Sequence, residues 1–483
     1  MSVPSAAPRV SSRALGVLLD GWRASGGTGY RALADRVRLL VLDGRLPLGT
    51  RLPAERDLAG HLGVSRTTVA AAYAELRDSG HLDSRRGSGS TVRLPGRRRA
   101  PALLPGVDGG PDLLDLTKAA LPADDGVAEA ARRAAASLPA YLDDSGYDLV
   151  GRPVLREAVA EHYRRRGLPT SADQVVVTLG AQHAIALLAR VLVTRGERAL
   201  VEAPGYPHAY EALRQAGARL TPVSVTVEEG WDEPALLQAL RRGSPAVAYL
   251  QPDFHNPTGA SMPPAQRTRV LEAAAAEGTV VVADETMAGL ATEPAPPGGR
   301  PLPMAAHGPA VLVGSVGKSL WGGLRVGWIR AERPLLDRVV RARSAGDLGT
   351  PLLDQLVTAE LLGDLDGVLE RRRHQLRHVR DRVVAGLRAA FPGWTVPSPA
   401  GGLSTWVGLG APVSSALVLA ARREGVLLAA GPVFGTDGAF ERHLRVPFSY
   451  PDEQADRALA ALRRAWAGLD GRPVPAPATA GVV

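Results

Sequence analysis

The sequence predicts two folded parts. The first is a small, mostly helical domain that ends in a β-hairpin. The second is a large α/β domain whose parallel sheet is followed by a smaller α+β lobe. Three observations lead there. The chain has 483 residues, enough for two or three domains at about 150 residues each. Residues 1–99 hold 17 Arg against 8 acidic residues, so the net charge of +8 sits entirely in the first fifth of the chain. Beyond about residue 113, short apolar runs alternate with long Ala/Leu/Arg stretches, the pattern of strands covered by helices. With 45% hydrophobic and 22% charged residues, a wholly disordered chain is excluded. The absence of cysteine excludes disulfides, thiolate metal sites and a cysteine nucleophile. There is no run of about 18 uncharged apolar residues, and MSVPSAAPRVSS has no apolar signal core. The expected compartment is the cytoplasm, with no membrane partner.

The first domain is expected over 10–93. Tyr30 to Leu40 reads as an amphipathic helix with Leu33, Val37 and Leu40 on one face. Residues 51–80 hold two helical patterns around the tight turn Gly63-Val64-Ser65. Ala59 lets the helices approach, Ser65 is placed to cap the second one, and Val69, Tyr73 and Leu76 form its core face. His81 to Val92 then reads as a hairpin whose tip, Arg85-Arg86-Gly87-Ser88-Gly89, is basic and glycine-rich. A helix-turn-helix of this kind lays its second helix in the major groove of DNA. Ser65, Arg66, Thr67 and Thr68 would lie near base edges, and Arg66 suits a bidentate pair with guanine. Arg86 and the amides of Gly87 and Gly89 would meet a groove or a phosphate. The alternative is a structural helix pair in an Arg-rich chain. The charge partition counts against it, because equal Arg richness downstream leaves no net charge.

Residues 94–112, rich in Pro, Gly and Arg, read as a linker that spans roughly 25 Å as a flexible chain. Five strands follow: QVVVTL (174–179), RALVEA (198–203), AVAYLQ (246–251), GTVVVAD (278–284) and AVLVGS (310–315). The large domain is expected over 113–470, with the smaller lobe from about 364, and 471–483 as a disordered tail.

In an open parallel sheet, ligands collect at the carboxyl ends of the strands. Four motifs sit there. Gly180-Ala181-Gln182 opens a helix whose free amides suit a phosphate. His255-Asn256-Pro257-Thr258-Gly259 sets an amide at a turn, and Asp284 closes a strand, half-buried and in need of a cationic partner. Ser315-Val316-Gly317-Lys318 comes last, with Arg325 beyond it. Each alone is an ordinary packing or turn sequence. Together they supply a phosphate cradle, a carboxylate, an amide and a scarce lysine, since only Lys118 and Lys318 among 57 basic residues are not Arg. Those groups match pyridoxal 5'-phosphate: a lysine for the imine and an acid for the pyridine nitrogen. Lys118, near the linker, has no such surroundings.

Two resemblances sharpen this reading. The run LPAERDLAGHLGVSRTTVAAAYAELRDSGHLDSRRGSGSTV resembles the winged-helix domain of the GntR regulators. It implies DNA contacts at Arg56, Arg66, Thr67, Thr68 and Gly87, with Ser65 and Arg86 matching in position while the residue type varies. Residues 113–470 resemble fold-type I aminotransferases in the order and spacing of their motifs. By that resemblance Lys318 would form the internal aldimine, Asp284 would pair with the pyridinium, Asn256 would bond the ring hydroxyl and Tyr206 would stack on the ring. Gly180, Ala181, Gln182, Ser315 and Arg325 would surround the phosphate, and Arg445 would grip a carboxylate of the substrate or effector. One departure is plain. The family commonly has a Tyr shortly after the pyridine-binding Asp, where this chain has Thr286 and Met287.

The combined layout resembles MocR-type bacterial regulators. It implies a DNA-binding homodimer on paired operator half-sites, holding pyridoxal phosphate and responding to an amino compound or a vitamin B6 form. Residual or no transaminase activity is expected, Thr286 counting against turnover. The alternatives are a working aminotransferase that carries a DNA-binding domain, and a large domain without cofactor that serves only to dimerise.

Overall fold

The computed structural model describes residues 9–20, 22, 29–42, 45–47, 49–85, 89–93, 113–294 and 299–470. The expected linker 94–112 and tail 471–483 lie outside the described residues, as do Arg86 and Gly87. The chain divides into two compact units. One takes in Met1–Asp115, Val413–Pro432 and Ala460–Val483, the other Leu116–Pro412 and Val433–Leu459.

In the first unit, helices α1 (Ser12–Leu18), α2 (Gly29–Leu42), α3 (Glu55–Leu62) and α4 (Arg66–Asp78) precede strands β1 (Leu82–Arg85) and β2 (Gly89–Val92). The apolar stripe expected for α2 is realised, with Leu33, Val37 and Leu40 all buried. They pack with Ala59 of α3 and Val69, Tyr73 and Leu76 of α4 in a single core. Gly63 ends α3 in the left-handed conformation, at φ 62°, which a residue without Cβ adopts freely. Ser65 starts α4, its hydroxyl accepting from the Thr68 amide at 3.1 Å. Tyr73 Oη donates to the Pro53 carbonyl at 3.1 Å, tying α4 to the chain before α3. The hairpin pairs Leu82 with Val92 and Arg85 with Gly89.

In the second unit, eight strands among the described residues form one sheet. Their order is Val175–Thr178, Gly327–Arg330, Val311–Ser315, Val280–Asp284, Val247–Leu250, Arg198–Ala203, Arg219–Thr226, Gly230–Trp231. The five strands read from sequence are all present. The sheet is mixed rather than wholly parallel: Gly230–Trp231 pairs antiparallel with Arg219–Thr226, and Gly327–Arg330 runs antiparallel to both its neighbours. The reason in the second case is the length of the connection. Residues 316–326 contain only a short 3-10 turn, Gly322–Leu324, whereas a parallel return needs a crossover of a dozen or more residues. Val175–Thr178, Val247–Leu250 and Gly327–Arg330 are buried along their whole length, as a sheet covered on both faces requires. The long helix Leu365–Ala390 leads to the antiparallel pair Ser404–Gly408 and His443–Pro447. Its buried Leu376 and Val379 share a core cluster with Leu403 and Phe448.

Candidate functional site

The motif residues gather where sequence places them, at strand ends of the second unit. Lys318 is half-buried, and its Nζ donates to the Ala119 carbonyl at 2.5 Å. Burial pulls its pKa down to about 8, and the Arg445 guanidinium pulls the same way while Asp284 opposes. A lysine so placed keeps a substantial neutral fraction near neutral pH, the form that attacks a carbonyl.

Asp284 differs from expectation in two ways. It is fully buried rather than half-buried, at 3% exposure. Its contacts are neutral donors rather than a cation: Tyr249 Oη at 2.6 Å, Gln251 Nε2 at 3.4 Å and the Thr286 amide at 2.9 Å. Tyr249 and Gln251 lie two apart and so project from the same face of one strand and its end. Burial, then Asp284, holds the Tyr249 phenol well above its usual pKa, so the phenol keeps its proton. The sequence reading missed both residues, although the period-2 spacing in AVAYLQ was the available signal. Thr286 meets Asp284 through its backbone, and Met287 is buried in the core cluster with Leu376 and Phe448.

Tyr206 caps the helix Pro207–Gln215. Its phenol is pushed up to about 12, first by burial and then by Asp284, against Arg445 and Arg325. That phenol thus lies within electrostatic reach of three other motif residues. Asn256 is buried and accepts from Arg445 Nη1 at 3.4 Å. Arg445 is itself buried, donates to the Thr117 carbonyl and lies 4.9 Å from the Phe434 ring centroid. Burial lowers its pKa only to about 10, so it stays charged at neutral pH. Thr117, Ala119 and Phe434 were not legible in sequence, since backbone acceptors and a lone aromatic carry no pattern.

The residues expected around the phosphate combine backbone and side-chain groups. Gly180 precedes the helix Ala181–Leu192 with φ 85°, and a Cβ there would stand 2.8 Å from Arg325 Nη2. Arg325 adopts φ 51°, uncommon for a residue with a side chain. Its Nη2 donates to the Leu179 carbonyl at 2.9 Å. Ser315 Oγ donates to the Val326 carbonyl at 2.9 Å and accepts from the Gly317 amide at 3.0 Å. Gln182 Nε2 donates to the His208 carbonyl at 3.0 Å, beside Tyr206.

Three buried polar atoms among these residues, Gln182 Oε1, Gln251 Oε1 and Arg445 Nε, have no protein partner. A buried unmet donor or acceptor is costly, so the region is organised to meet a polar ligand. Cradle, buried acid, half-buried amine and guanidinium together fit a phosphorylated pyridine aldehyde and an amine that carries a carboxylate.

In the first unit Arg56, Ser65, Arg66 and Thr67 are exposed and Thr68 is half-buried. Ser65 Oγ lies 2.7 Å from Thr67 Oγ1 and 2.8 Å from Thr68 Oγ1, a hydroxyl cluster at the start of α4. The Arg66 side chain is 73% exposed, its Nε 3.9 Å from Glu55, so it is free to exchange that contact for another.

Comparison with known proteins finds two families along the chain. Residues 29–92 match the gntR family of bacterial regulatory proteins, and residues 112–462 match aminotransferase class I and II. The HTH-type transcriptional regulator TauR of Rhodobacter capsulatus is 33% identical over 87% of this chain and 92% of its own. The probable rhizopine catabolism regulatory protein MocR of Rhizobium meliloti is 32% identical over 65% of this chain and 68% of its own. Among solved structures, the α-aminoadipate aminotransferase LysN of Thermus thermophilus superposes with a TM-score of 0.67 at 31% identity, covering 75% of this chain and 94% of that one. No helix among the described residues is long and apolar enough to cross a membrane. With a GntR helix-turn-helix ahead of an aminotransferase fold, the chain belongs to the MocR-type transcriptional regulators of the GntR family.

Proposed function

We propose that this regulator holds pyridoxal phosphate at Lys318 and reads an amino compound or a vitamin B6 form at the same site, changing how it engages DNA. The observation that carries the reading is the half-buried Lys318 amine, lowered to about 8 between Arg445 and Asp284. Pyridoxal phosphate, when bound, supplies an aldehyde that condenses with amines and a ring that withdraws electrons. The protein's own residues do the rest. Lys318 offers a neutral amine and holds the exchangeable proton at Nζ. Asp284, kept in place by Tyr249, Gln251 and the Thr286 amide, presents a carboxylate to the ring nitrogen. Asn256 meets the ring hydroxyl and Tyr206 covers a ring face. Gly180, Ala181, Gln182, Ser315 and Arg325 receive the phosphate, and Arg445 the carboxylate of the effector.

On the DNA side, Arg56, Ser65, Arg66, Thr67 and Thr68 of a homodimer read paired half-sites, with Arg86 and Gly87 of the hairpin tip added. The domain limits 10–93, 94–112 and 113–470 are part of this reading, as is a cytoplasmic location.

A second reading, an active aminotransferase, draws on the presence of Lys318, Asp284 and Arg445 together. Met287 weighs against it, since the position where relatives often place a phenol is used for packing. Visible absorbance separates the two. A yellow band that Lys318→Ala abolishes is expected, and amino donors shift it without bleaching. Repeated bleaching by donors and recovery with a keto acid would establish the transaminase. No band with added pyridoxal phosphate would overturn both.

A further inference from the structure

A cavity of about 900 Å³ lies in the second unit beside the motif residues, sharing Ser315, Val316 and Thr286 with that site. Its volume is at the upper end of small-molecule sites. One wall is apolar and aromatic: Trp328, Tyr163, His162, Leu365 and Leu369. Trp328 is buried, its indole Nε1 donating to Tyr163 Oη at 3.0 Å, and His162 packs edge-on to it at 6.4 Å between ring centroids. Burial brings the His162 pKa down to about 3, so that wall carries no charge near neutral pH. Gly314 is needed here, because a Cβ would stand 2.4 Å from the indole.

The opposite wall is ionic, and one of its guanidiniums stands outside the ion pairs. Every carboxylate that lines the cavity has its own guanidinium: Asp253 with Arg267, Glu285 with Arg166, Asp366 with Arg165, Glu370 with Arg373, and Glu293 with Arg377 and Arg380. Arg300 is the exception. It makes no ion pair among the described residues, and its Nη2 donates only to the Glu293 carbonyl at 2.9 Å. Burial, then the nearby charge of Arg373, pulls its pKa below that of a free guanidinium, while Glu370 opposes. Arg373 Nε is buried without a partner. A half-buried guanidinium outside any ion pair and a buried unmet donor near it are both costly. One monoanionic group with two oxygens answers both.

We propose that this cavity is a second small-molecule site, for a planar aromatic carboxylate whose oxygens meet Arg300 and Arg373 Nε and whose ring lies on the Trp328 wall. The inference does not depend on what Lys318 holds.

The test is calorimetric titration of the full chain with benzoate. Binding with one site per chain and a Kd of about 1 mM or tighter is expected for so small a ligand. Arg300→Gln should weaken it by about tenfold or more, with the melting temperature unchanged. Arg445→Gln, which removes the carboxylate grip of the Lys318 site, should leave it intact. A crystal of the wild-type chain soaked in 4-iodobenzoate should show the iodine in this cavity, along the Trp328 wall at the end of the ring away from Arg300, a readout that needs no variant. No heat and no iodine there, or benzoate binding that Arg445→Gln removes and Arg300→Gln spares, would overturn the proposal.

Discussion

Lys318 is one of two lysines in a chain whose other basic residues are all arginine, and its surroundings make it a different reagent from an exposed lysine. At a pKa of about 8, roughly a tenth of it is neutral at pH 7, against less than ~0.1% for an unperturbed lysine. The rate of pyridoxal phosphate capture should therefore rise about fivefold from pH 7 to pH 8 and then level off, followed by stopped-flow absorbance. A rate still climbing tenfold per pH unit at pH 9 would show an ordinary lysine. Gly180 carries a second prediction. Alanine there meets both a left-handed backbone and Arg325 Nη2 at 2.8 Å, so Gly180→Ala should weaken pyridoxal phosphate affinity by about tenfold or more. Equilibrium dialysis against the cofactor checks it, with the fold verified by circular dichroism. At this scale, legibility followed chemistry. Lys318 stood out by scarcity, and Asp284 and Asn256 by their places at strand ends. Tyr249 hid inside an apolar strand, where a phenol reads as core until its hydroxyl is seen on Asp284.

Elements were legible where a local signal sets them and illegible where a partner does. Ser65 is the clearest local case: a cap expected from residue type alone accepts the Thr68 amide in the folded unit. Removing it tests the element apart from DNA contact. Ser65→Ala should cost about 1 kcal/mol of stability, measured by chemical denaturation. Arg66→Ala, at a largely exposed side chain, should leave stability unchanged and weaken DNA binding. If both variants lost stability equally, α4 would not be capped as described. Strand positions were legible because five apolar runs are bounded by turn residues. The direction of Gly327–Arg330 was not. It depends on how much chain separates it from Val311–Ser315, and no periodicity encodes direction. The phosphate cradle stands between these cases. Gly180 before a helix is a local signal, whereas Arg325 reaches the same place through an antiparallel strand whose Gly327 passes close to the Gly180 backbone.

For the whole molecule, charge partition and ligand linkage make separate demands. All of the net positive charge lies in the first 99 residues, so the salt dependence of DNA binding should arise there. Each phosphate contact contributes about one unit to the slope of log K against log salt. Arg56→Ala should reduce that slope by about one, whereas Arg66→Ala, at a base edge, and an exposed arginine of the second unit such as Arg338 should leave it nearly unchanged. If an effector bound at Lys318 changes DNA affinity by some factor, DNA must change effector affinity by the same factor. The coupling is expected to lie within the usual range of about 1–3 kcal/mol. It can be read twice on the full chain: as operator affinity with and without effector by fluorescence anisotropy, and as effector affinity with and without operator by the shift of the visible band. The two factors should agree, and Lys318→Ala should remove both while keeping the salt slope. A variant that lost the slope as well would place Lys318 in the folding of the chain. An operator affinity indifferent to every amino compound and vitamin B6 form would leave the second unit without a regulatory ligand at that site.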